Sequence, residues 1–512
     1  MGVSLEDRME NRSDHKIENN IKNPNTDRVF RMICAVSMIF LFLYLIWAAG
    51  LKEFWYDEVA TIGFVRSGLS LGDVLHYYRT IEVTNLPLYA LIIYVFYHVF
   101  PPENIWLLLP GILMTLTGIW LLVRLADRTI GRKAAYAALC MCLFSTTVIN
   151  RIALELRAYA LLFFAAVLVT DALIRLKDRM NVKRLALTSG AMILLAFSHY
   201  FGVLYLVLLG MLTLIYILRD RKKWKMLLPF FVAAAVFCPW FFAAMRVTKV
   251  DTGSFWIAPP GWMELPETVG YLLGGNYLLC ILYGVGFLWL LYDIVICRKT
   301  DLHRMIYALA GPAMMAVIFI YSRWINAGGG LYENRYFIAA LPCILLTASY
   351  GIERFTALGG EKHRRIVYGA AAVFLLAAGV VGGIRSFSNS RDQYARYSYA
   401  AEQIILEDDL DDRDVLLICV SYDDVGGVVL EGWYDYYLFR KGYEASHLIM
   451  TQNSSLDTVL QDEDAAYADS TAYFRKIYVV GDTDHIAYHG TDYTITEQDF
   501  FYKFTVLERR DG

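Results

Sequence analysis

Long apolar runs restrict the folds available to this chain of 512 residues more than any other feature of its sequence. A helix needs about 20 apolar residues to cross the hydrocarbon core of a bilayer. Runs of this kind recur from residues 30–49 to residues 367–383. The chain is 57% hydrophobic and 19% charged, whereas soluble domains carry roughly 25% charged residues. The sequence therefore predicts an α-helical polytopic membrane protein and excludes a wholly soluble one.

Basic residues are concentrated in five short loops, and this indicates how the helices are oriented. These loops hold 21 of the 47 Lys and Arg residues. Short loops rich in Lys and Arg remain in the cytoplasm, so the N-terminus is predicted to be cytoplasmic and the C-terminal part extracytoplasmic. Between successive basic loops the chain has room for one helical hairpin. The loops are 124–133, 175–184, 219–225, 298–304 and 354–365.

The segment 51–123 must cross the membrane once to agree with this orientation, although it contains two apolar runs. The first run, 86–100, would form a helix of about 22 Å, which is short of a core of about 30 Å. Its tyrosines and histidine suit the membrane interface. We therefore expect an interfacial or re-entrant helix within a long outer loop, 51–103, and about eleven spans. A twelve-span arrangement would place all five basic loops outside, which the preference of basic loops for the cytoplasm disfavours.

The charge balance separates a C-terminal part from the rest of the chain. Residues 387–512 contain 25 acidic and 10 basic side chains, a net charge of −15, which leaves +12 for the remainder. Short apolar strands and one amphipathic stretch predict a small α/β domain here. We expect a disordered cytoplasmic tail over 1–29, a transmembrane domain over 30–386 and a soluble acidic domain over 387–512.

Two adjacent carboxylates, Asp57 and Glu58, follow directly after the first span. Charges at a membrane surface are costly unless they are solvated or paired, so this pair can act as a general base or hold a polar substrate. Acidic residues in a first helical turn can also simply complement the helix dipole. Arg79, in the same loop, can contact phosphate, or it can snorkel to lipid headgroups.

Three other outer segments carry candidates of the same kind. Glu155 and Arg157 lie in a very short turn, where they can contact a substrate or pair with each other. His199 interrupts a long apolar stretch and can have a structural role there. Arg335 would be stranded near the hydrocarbon core without an anionic partner, which favours a phosphate. All these residues are predicted on one side of the membrane, close to lipid.

The order of these motifs resembles that of the GT-C glycosyltransferases, especially the bacterial branch of protein O-mannosyltransferase-like and aminoarabinose-transferase-like enzymes. The resemblance covers about 30–355 and depends on the order of the motifs more than on any single one. It implies a GT-C-like transmembrane domain. The matching segments are WYDEVATIGFVRSG (55–68), NLPLYALIIYVFYHVFP (85–101), LELRAYALLFF (154–164), SHYFG (198–202) and ENRYFIAALP (333–342).

The resemblance implies a membrane glycosyltransferase that moves a hexosyl or pentosyl group from a polyprenyl-phosphate carrier to an extracytoplasmic glycan, lipid or protein. Asp57 matches an aspartate beside the acceptor and would be the catalytic base of an inverting displacement. Arg157 and Arg335 match phosphate contacts, and His199 matches the histidine of a His-Tyr-Phe pattern. The substrate-binding residues that we expect are Glu58, Arg79, Tyr89, Glu155, Arg157, Tyr159, His199, Tyr200, Arg335 and Tyr336.

A metal and two other functions stay open at this point. Family members often carry an acidic residue in the second outer loop that can bind metal, and here Glu155 is the candidate for a divalent ion. No other cofactor and no nucleic acid are expected. A transporter or flippase for a lipid-linked or polar substrate is the main alternative function, followed by a scaffold that presents the acidic tail. Convergence of Asp57, Arg157, His199 and Arg335 in space would favour the enzyme.

Overall fold

The structure, a computed structural model, describes most of the chain from residue 24 onwards. Two compact units are distinguished, Met1–Tyr44 and Leu45–Gly512. The described residues of the first unit belong to helix α1 (Pro24–Gly50), which begins inside the predicted tail 1–29; the rest of that tail lies outside the described residues. The described ranges are 24–82, 85–247, 257–326, 330–357, 397–407, 414–421, 424–452, 474–481, 493–499 and 504–510, with a few isolated positions.

Three short helices follow α1: α2 (Tyr56–Gly63), α3 (Leu71–Thr80) and α4 (Pro87–Val99). Helix α3 begins with a reciprocal cap, in which the Ser70 hydroxyl accepts from the Asp73 amide and the Asp73 carboxylate accepts from the Ser70 amide. Helix α4 is apolar but only 13 residues long. The short helix predicted at 86–100 is therefore present.

Ten further helices follow among the described residues, with 3₁₀ or π turns at several of their ends. Eight helices among the described residues, α1 included, are long and apolar enough to cross a membrane. The chain is thus a polytopic helical membrane protein, as predicted. The helices are α5 (Asn104–Thr129), α6 (Arg132–Phe144), α7 (Tyr159–Asp178), α8 (Val182–Ala196), α9 (Tyr200–Arg219), α10 (Leu228–Val247), α11 (Glu264–Leu272), α12 (Tyr277–Val295), α13 (Leu302–Ile320) and α14 (Leu341–Ala357).

The predicted span 134–150 is not one straight helix. Helix α6 ends at Phe144, and a π-helical turn, Thr147–Ala153, continues at an angle of 65°. The Thr147 hydroxyl donates to the backbone carbonyl of Tyr271 on α11, and this long-range hydrogen bond holds the bend in place. If this bent pair counts as one span, the described residues hold up to nine.

Two other predicted spans are not among the eight helices that are long and apolar enough to cross a membrane. The span predicted at 184–198 corresponds to α8, which has 15 residues and is short for a crossing. The span predicted at 367–383 lies outside the described residues, apart from isolated positions, as does the predicted domain boundary at 386.

The C-terminal part is a small α/β fold, as predicted. Its described residues include five strands, which form one mixed sheet in the order β2-β1-β3-β5-β4. Strand β1 pairs in parallel with β2 and β3, whereas β5 pairs antiparallel with β3 and β4. The elements are α15 (Tyr397–Glu407), β1 (Val415–Val420), α16 (Asp424–Tyr437), β2 (Leu448–Thr451), β3 (Lys476–Gly481), β4 (Tyr493–Asp499) and β5 (Phe504–Arg509).

Candidate active site

Asp57 and two arginines from distant segments meet at the start of α2. Nη1 of Arg335 lies 3.4 Å from Oδ2 of Asp57. Nη1 of Arg157 donates to the backbone carbonyl of Asp57 at 3.2 Å. Arg157 belongs to the turn before α7, and Arg335 belongs to the 3₁₀ turn that leads into α14. These three residues form the Asp57 cluster, which combines one carboxylate with two cations.

In the Asp57 cluster the carboxylate is partly exposed to solvent, and Arg157 and Arg335 are positively charged. The Asp57 side chain is 24% exposed and that of Arg335 is 14% exposed. Burial alone would lower the pKa of Arg157, but the nearby carboxylates of Asp57 and Glu82 outweigh this effect. The pKa is therefore raised above its usual value, and Arg157 remains a cation. The distance of 3.4 Å is long for a charge-assisted hydrogen bond, which is about 2.7–2.9 Å. Arg335 is therefore close enough to stabilise Asp57 without being tightly bound to it.

Glu58, which was predicted to bind substrate, is buried among protein donors. Its side chain is 0% exposed, and protein donors occupy both of its oxygens. Oε2 accepts from Lys52 at 2.7 Å and from the Trp55 amide at 3.1 Å, and Oε1 accepts from the Leu156 amide at 2.6 Å. Glu58 thus joins the start of α2 to the turn that carries Arg157, and its role is to position that turn.

Glu155 lies in a buried polar region beside the Asp57 cluster. Its side chain is 2% exposed, and Oε2 lies 3.4 Å from Nη1 of Arg151. Oε1 and the buried hydroxyl of Tyr89 have no hydrogen-bond partner among the described residues. Burial raises the pKa of Glu155 to about 7, although Arg151 lowers it. Both predicted residues are therefore next to the cluster, with polar atoms left to bind other groups.

His199 contributes a neutral imidazole to the same region. Its Nδ1 accepts from the Phe201 amide at 3.1 Å and so caps α9. Burial, Arg157 and Arg335 lower the pKa of His199 to about 3. Because Nδ1 is an acceptor, the proton of the neutral ring lies on Nε2. The rings of Tyr336 and Tyr159 lie 5.5 Å and 6.3 Å from that of His199, so these three predicted residues are adjacent.

Two other predicted substrate-binding residues, Arg79 and Tyr200, lie against α10. Arg79 is exposed on α3, and its guanidinium lies 4.9 Å from the ring of Trp240 on α10. Tyr200 packs edge-on against Phe241, also on α10, with ring centroids 6.4 Å apart. Each side chain thus contacts α10, and its part in substrate binding stays a prediction.

Three charged residues near the cluster were not among the predicted site residues. Lys52 pairs with Glu58, and Arg151 pairs with Glu155. Glu82 raises the pKa of Arg157 and accepts from Asn85 at 2.6 Å. The i,i+4 spacing of Arg151 and Glu155 is a signal that sequence reasoning could have used. The pairing of Lys52 with Glu58 depends on how α1 joins α2, so spacing alone does not indicate it.

The acidic residues near the cluster do not form a metal site. In the part of the chain that the structure describes, no three His, Cys, Asp or Glu residues are grouped as a metal ion would need. Both oxygens of Glu58 are occupied by protein donors, and Arg151, Lys52 and Arg335 surround Glu155. A divalent ion binds best among oxygen ligands that are not already matched by cations. The donor set at Glu155 therefore does not fit one.

Comparison with known proteins identifies the fold. Neither a protein-family model nor a curated protein matches the sequence. The structure is similar to that of ArnT from Cupriavidus metallidurans bound to undecaprenyl phosphate, with a TM-score of 0.59, 14% identity and coverage of 95% of this chain and 98% of that one. The apo state of the same ArnT gives a TM-score of 0.58, with 15% identity and coverage of 94% and 98%.

A third solved structure, the Archaeoglobus fulgidus oligosaccharyltransferase in complex with Zn and sulfate, has a TM-score of 0.51 at 11% identity. The match covers 88% of this chain and 68% of the oligosaccharyltransferase chain. At these identities the similarity is one of fold. The chain shares its fold with ArnT, and this confirms the predicted class of a polytopic helical membrane protein with a small C-terminal α/β part.

Proposed function

We propose that the chain is a membrane glycosyltransferase that takes a sugar from a polyprenyl-phosphate carrier and transfers it to an extracytoplasmic glycan, lipid or protein. The contact of Asp57 with Arg335 and Arg157 is the observation that carries this proposal. A base and two fixed cations, placed together at the ends of membrane spans, match the needs of an acceptor hydroxyl and a leaving phosphate. The solved ArnT structure with the same fold holds undecaprenyl phosphate.

The proposed reaction is a single displacement with inversion. The acceptor oxygen attacks the anomeric carbon while the bond from that carbon to the phosphate oxygen breaks. Asp57 takes the proton of the acceptor hydroxyl as general base. Arg157 and Arg335 stabilise the negative charge that develops on the polyprenyl phosphate. The transferred group is a hexosyl or pentosyl unit.

His199 and Glu155 would contact the sugar in this proposal. The neutral imidazole of His199 can donate one hydrogen bond from Nε2 without adding a third positive charge. Oε1 of Glu155 can accept from a hydroxyl, and the Tyr89 hydroxyl can donate to one. These groups would orient the sugar while the arginines hold the phosphate.

Asp57→Asn tests the proposal. Lipid extracts of cell envelopes that lack the protein should accumulate a polyprenyl-phosphate sugar, and wild-type protein should remove it. Asp57→Asn keeps the size of the side chain but cannot take the proton, so we expect transfer at least about 100-fold slower. Glu103→Gln, at an exposed carboxylate in the same outer loop whose side chain makes no helix cap, is the control and should behave as wild type. Full transfer by Asp57→Asn would refute the role of Asp57.

The same assay separates an enzyme from a transporter. A transferase releases polyprenyl phosphate and glycosylated acceptor in equal amounts. A flippase would move the lipid-linked sugar across the bilayer with its phosphate bond intact. Recovery of the intact lipid-linked sugar on the opposite face, with no release of polyprenyl phosphate, would favour the transporter.

A further inference from the structure

Helix α16 of the C-terminal domain touches the backbone of α2, the helix that carries Asp57. A Cβ at Gly432 on α16 would lie 2.4 Å from the Gly63 nitrogen and 2.9 Å from the Val59 carbonyl oxygen. A Cβ at Gly63 would lie 2.0 Å from the Val428 carbonyl oxygen. Both helices therefore need glycine at this crossing, because any side chain there would meet backbone, which cannot move aside as a flexible side chain can.

A buried carboxylate ties the same two helices together. Asp435 on α16 is 6% exposed. Its Oδ2 accepts from the Ser67 amide, just after α2, at 2.8 Å and from the Tyr97 hydroxyl on α4 at 2.6 Å. Arg66 and Glu431 form an ion pair of 2.7 Å beside it. The end of α2 is thus held by the soluble domain and by α4.

The contact continues from α2 to the first residues of α5. The Tyr436 hydroxyl donates to the Asn104 side chain at 2.6 Å, and its ring lies 5.8 Å from that of Phe54. Just after α16, the Arg440 guanidinium donates to the Phe100 carbonyl at 2.9 Å. An interface with this many polar contacts, buried at Tyr97–Asp435 and part-buried elsewhere, differs from that of a domain joined only by a linker.

Helix α2 needs such external support because it is only eight residues long. An isolated helix of this length is unstable in water. Glu58 fixes its first turn to the turn that carries Arg157, as described above. Beyond its second half, Phe64 packs against the rings of Tyr77 and Tyr78 on α3. The contacts with α16 are at Gly63 and at the Ser67 amide.

We propose that α16 is a positioning element for the site. The Gly63–Gly432 crossing and Asp435 hold α2 in place, and thereby set Asp57 against Arg157 and Arg335, which belong to segments at the start of α7 and α14. The contacts of Gly432 and Asp435 by themselves support the positioning of α2. Its consequence for turnover rests on the proposed function.

The experiment uses the full chain in lipid nanodiscs and two variants, Gly432→Ala and Asp435→Asn. Gly427→Ala is the matched control, because a Cβ there would meet only the Ser421 hydroxyl at 3.6 Å, an ordinary contact. Amide hydrogen exchange over 59–67 is measured first. We expect exchange about tenfold faster or more in both variants, and unchanged in the control, since these amides would open locally.

Two further readouts separate positioning from a general loss of folded protein. Binding of undecaprenyl phosphate alone should keep its stoichiometry, because the segments of Arg157 and Arg335 remain in place. Turnover per bound carrier should fall about tenfold or more, while KM for the lipid-linked sugar changes little. Unfolding would instead reduce binding and turnover in proportion.

The outcomes are distinct. Exchange over 59–67 equal to wild type in both variants would overturn the positioning role, whatever the activity. Faster exchange with normal turnover per bound carrier would overturn the link to catalysis. If the wild-type protein transfers no sugar, the proposed function fails, and the exchange rates still decide whether α16 positions α2.

Discussion

At the scale of single residues, three neighbouring carboxylates have different surroundings and therefore different roles. Asp57 is partly exposed and lies loosely against Arg335. Glu58 is fully buried, and protein donors occupy both of its oxygens. Glu155 is buried with one oxygen unpartnered within the described residues. The environment of a carboxylate, more than its residue type, decides whether it can take a proton, hold the structure or bind a hydroxyl.

Glu155 should make stability depend on pH. Burial raises its pKa from 4.5 to about 7, so the folded protein binds this proton more tightly than the unfolded chain does. The free energy of unfolding should therefore fall as the pH rises from about 4.5 to about 7, by about 3 kcal/mol. Glu155→Gln removes this titration, so its melting temperature should rise relative to wild type over that interval.

Thermal unfolding in detergent at a series of pH values measures this difference. Glu267→Gln is the control, because Glu267 is exposed on α11. Its melting temperature should follow that of wild type at every pH. A constant difference between Glu155→Gln and wild type across the interval would show that Glu155 is not buried in the way that the structure describes.

Single residues also show where prediction from sequence reached its limit. Asp57, Arg157, His199 and Arg335 were predicted from their motifs, and the structure brings them together. Arg79, Tyr200 and Glu58 belong to the same motifs but face α10 or the protein interior. A motif places a residue on a segment, whereas the direction of its side chain depends on what packs against that segment.

At the scale of elements, α12 and α14 approach each other closely through two glycines. A Cβ at Gly286 would lie 2.0 Å from the Thr347 carbonyl oxygen, and one at Gly351 would lie 2.9 Å from Gly286 Cα. Small residues at such crossings let membrane helices pack at short distance. Close packing here aligns α14, which continues from the 3₁₀ turn that carries Arg335.

Gly286→Ala should push these helices apart. We expect the free energy of unfolding to fall by about 1–3 kcal/mol, as is usual for overpacking. Thermal unfolding in detergent measures the loss. Gly284→Ala, two residues earlier on α12, is the matched control, because a Cβ there would meet nothing within 4 Å. Equal melting temperatures for the two variants would contradict the close crossing.

The bend after α6 is the element that hydropathy could not predict. An apolar run of sufficient length covers residues 134–150, but the helix breaks after Phe144 and turns by 65°. Thr146 and Thr147 donate hydrogen bonds to backbone carbonyls of the α11 region, more than 120 residues away. Long-range partners of this kind leave no periodic signal in the local sequence.

At the scale of the whole molecule, the acidic C-terminal part and the membrane helices that follow α1 belong to one compact unit, Leu45–Gly512. Composition indicated a separate soluble domain, because its charge and its strand pattern differ from those of the spans. The contacts of α16 with α2, α4 and α5 show why the two parts are not independent. The domain is part of the support of the candidate site.

The orientation of the molecule in the membrane is a prediction at the same scale. The basic loops should be cytoplasmic, and both the Asp57 side and the C-terminal domain should be outside. Single cysteines at Lys222, Glu267 and Glu444, all exposed positions, can be introduced after the eight cysteines of the chain are replaced by serine. An impermeant maleimide should label Glu267→Cys and Glu444→Cys in sealed right-side-out vesicles, and Lys222→Cys only after permeabilisation. Labelling in the reverse order would invert the topology.

The sequence by itself indicated the order of eight of the predicted spans, the short helix before α5 and the α/β class of the C-terminal part. It also singled out Asp57, Arg157, His199 and Arg335 as candidates. These features depend on hydrophobic length, on periodicity and on motifs, all of which are local. Only the tertiary structure decided that Asp57 faces the arginines while Glu58 is buried, that α6 ends in a bend and that α16 supports α2. These features depend on packing and hydrogen bonds between residues as many as 368 positions apart, and such contacts exist only once the chain has folded.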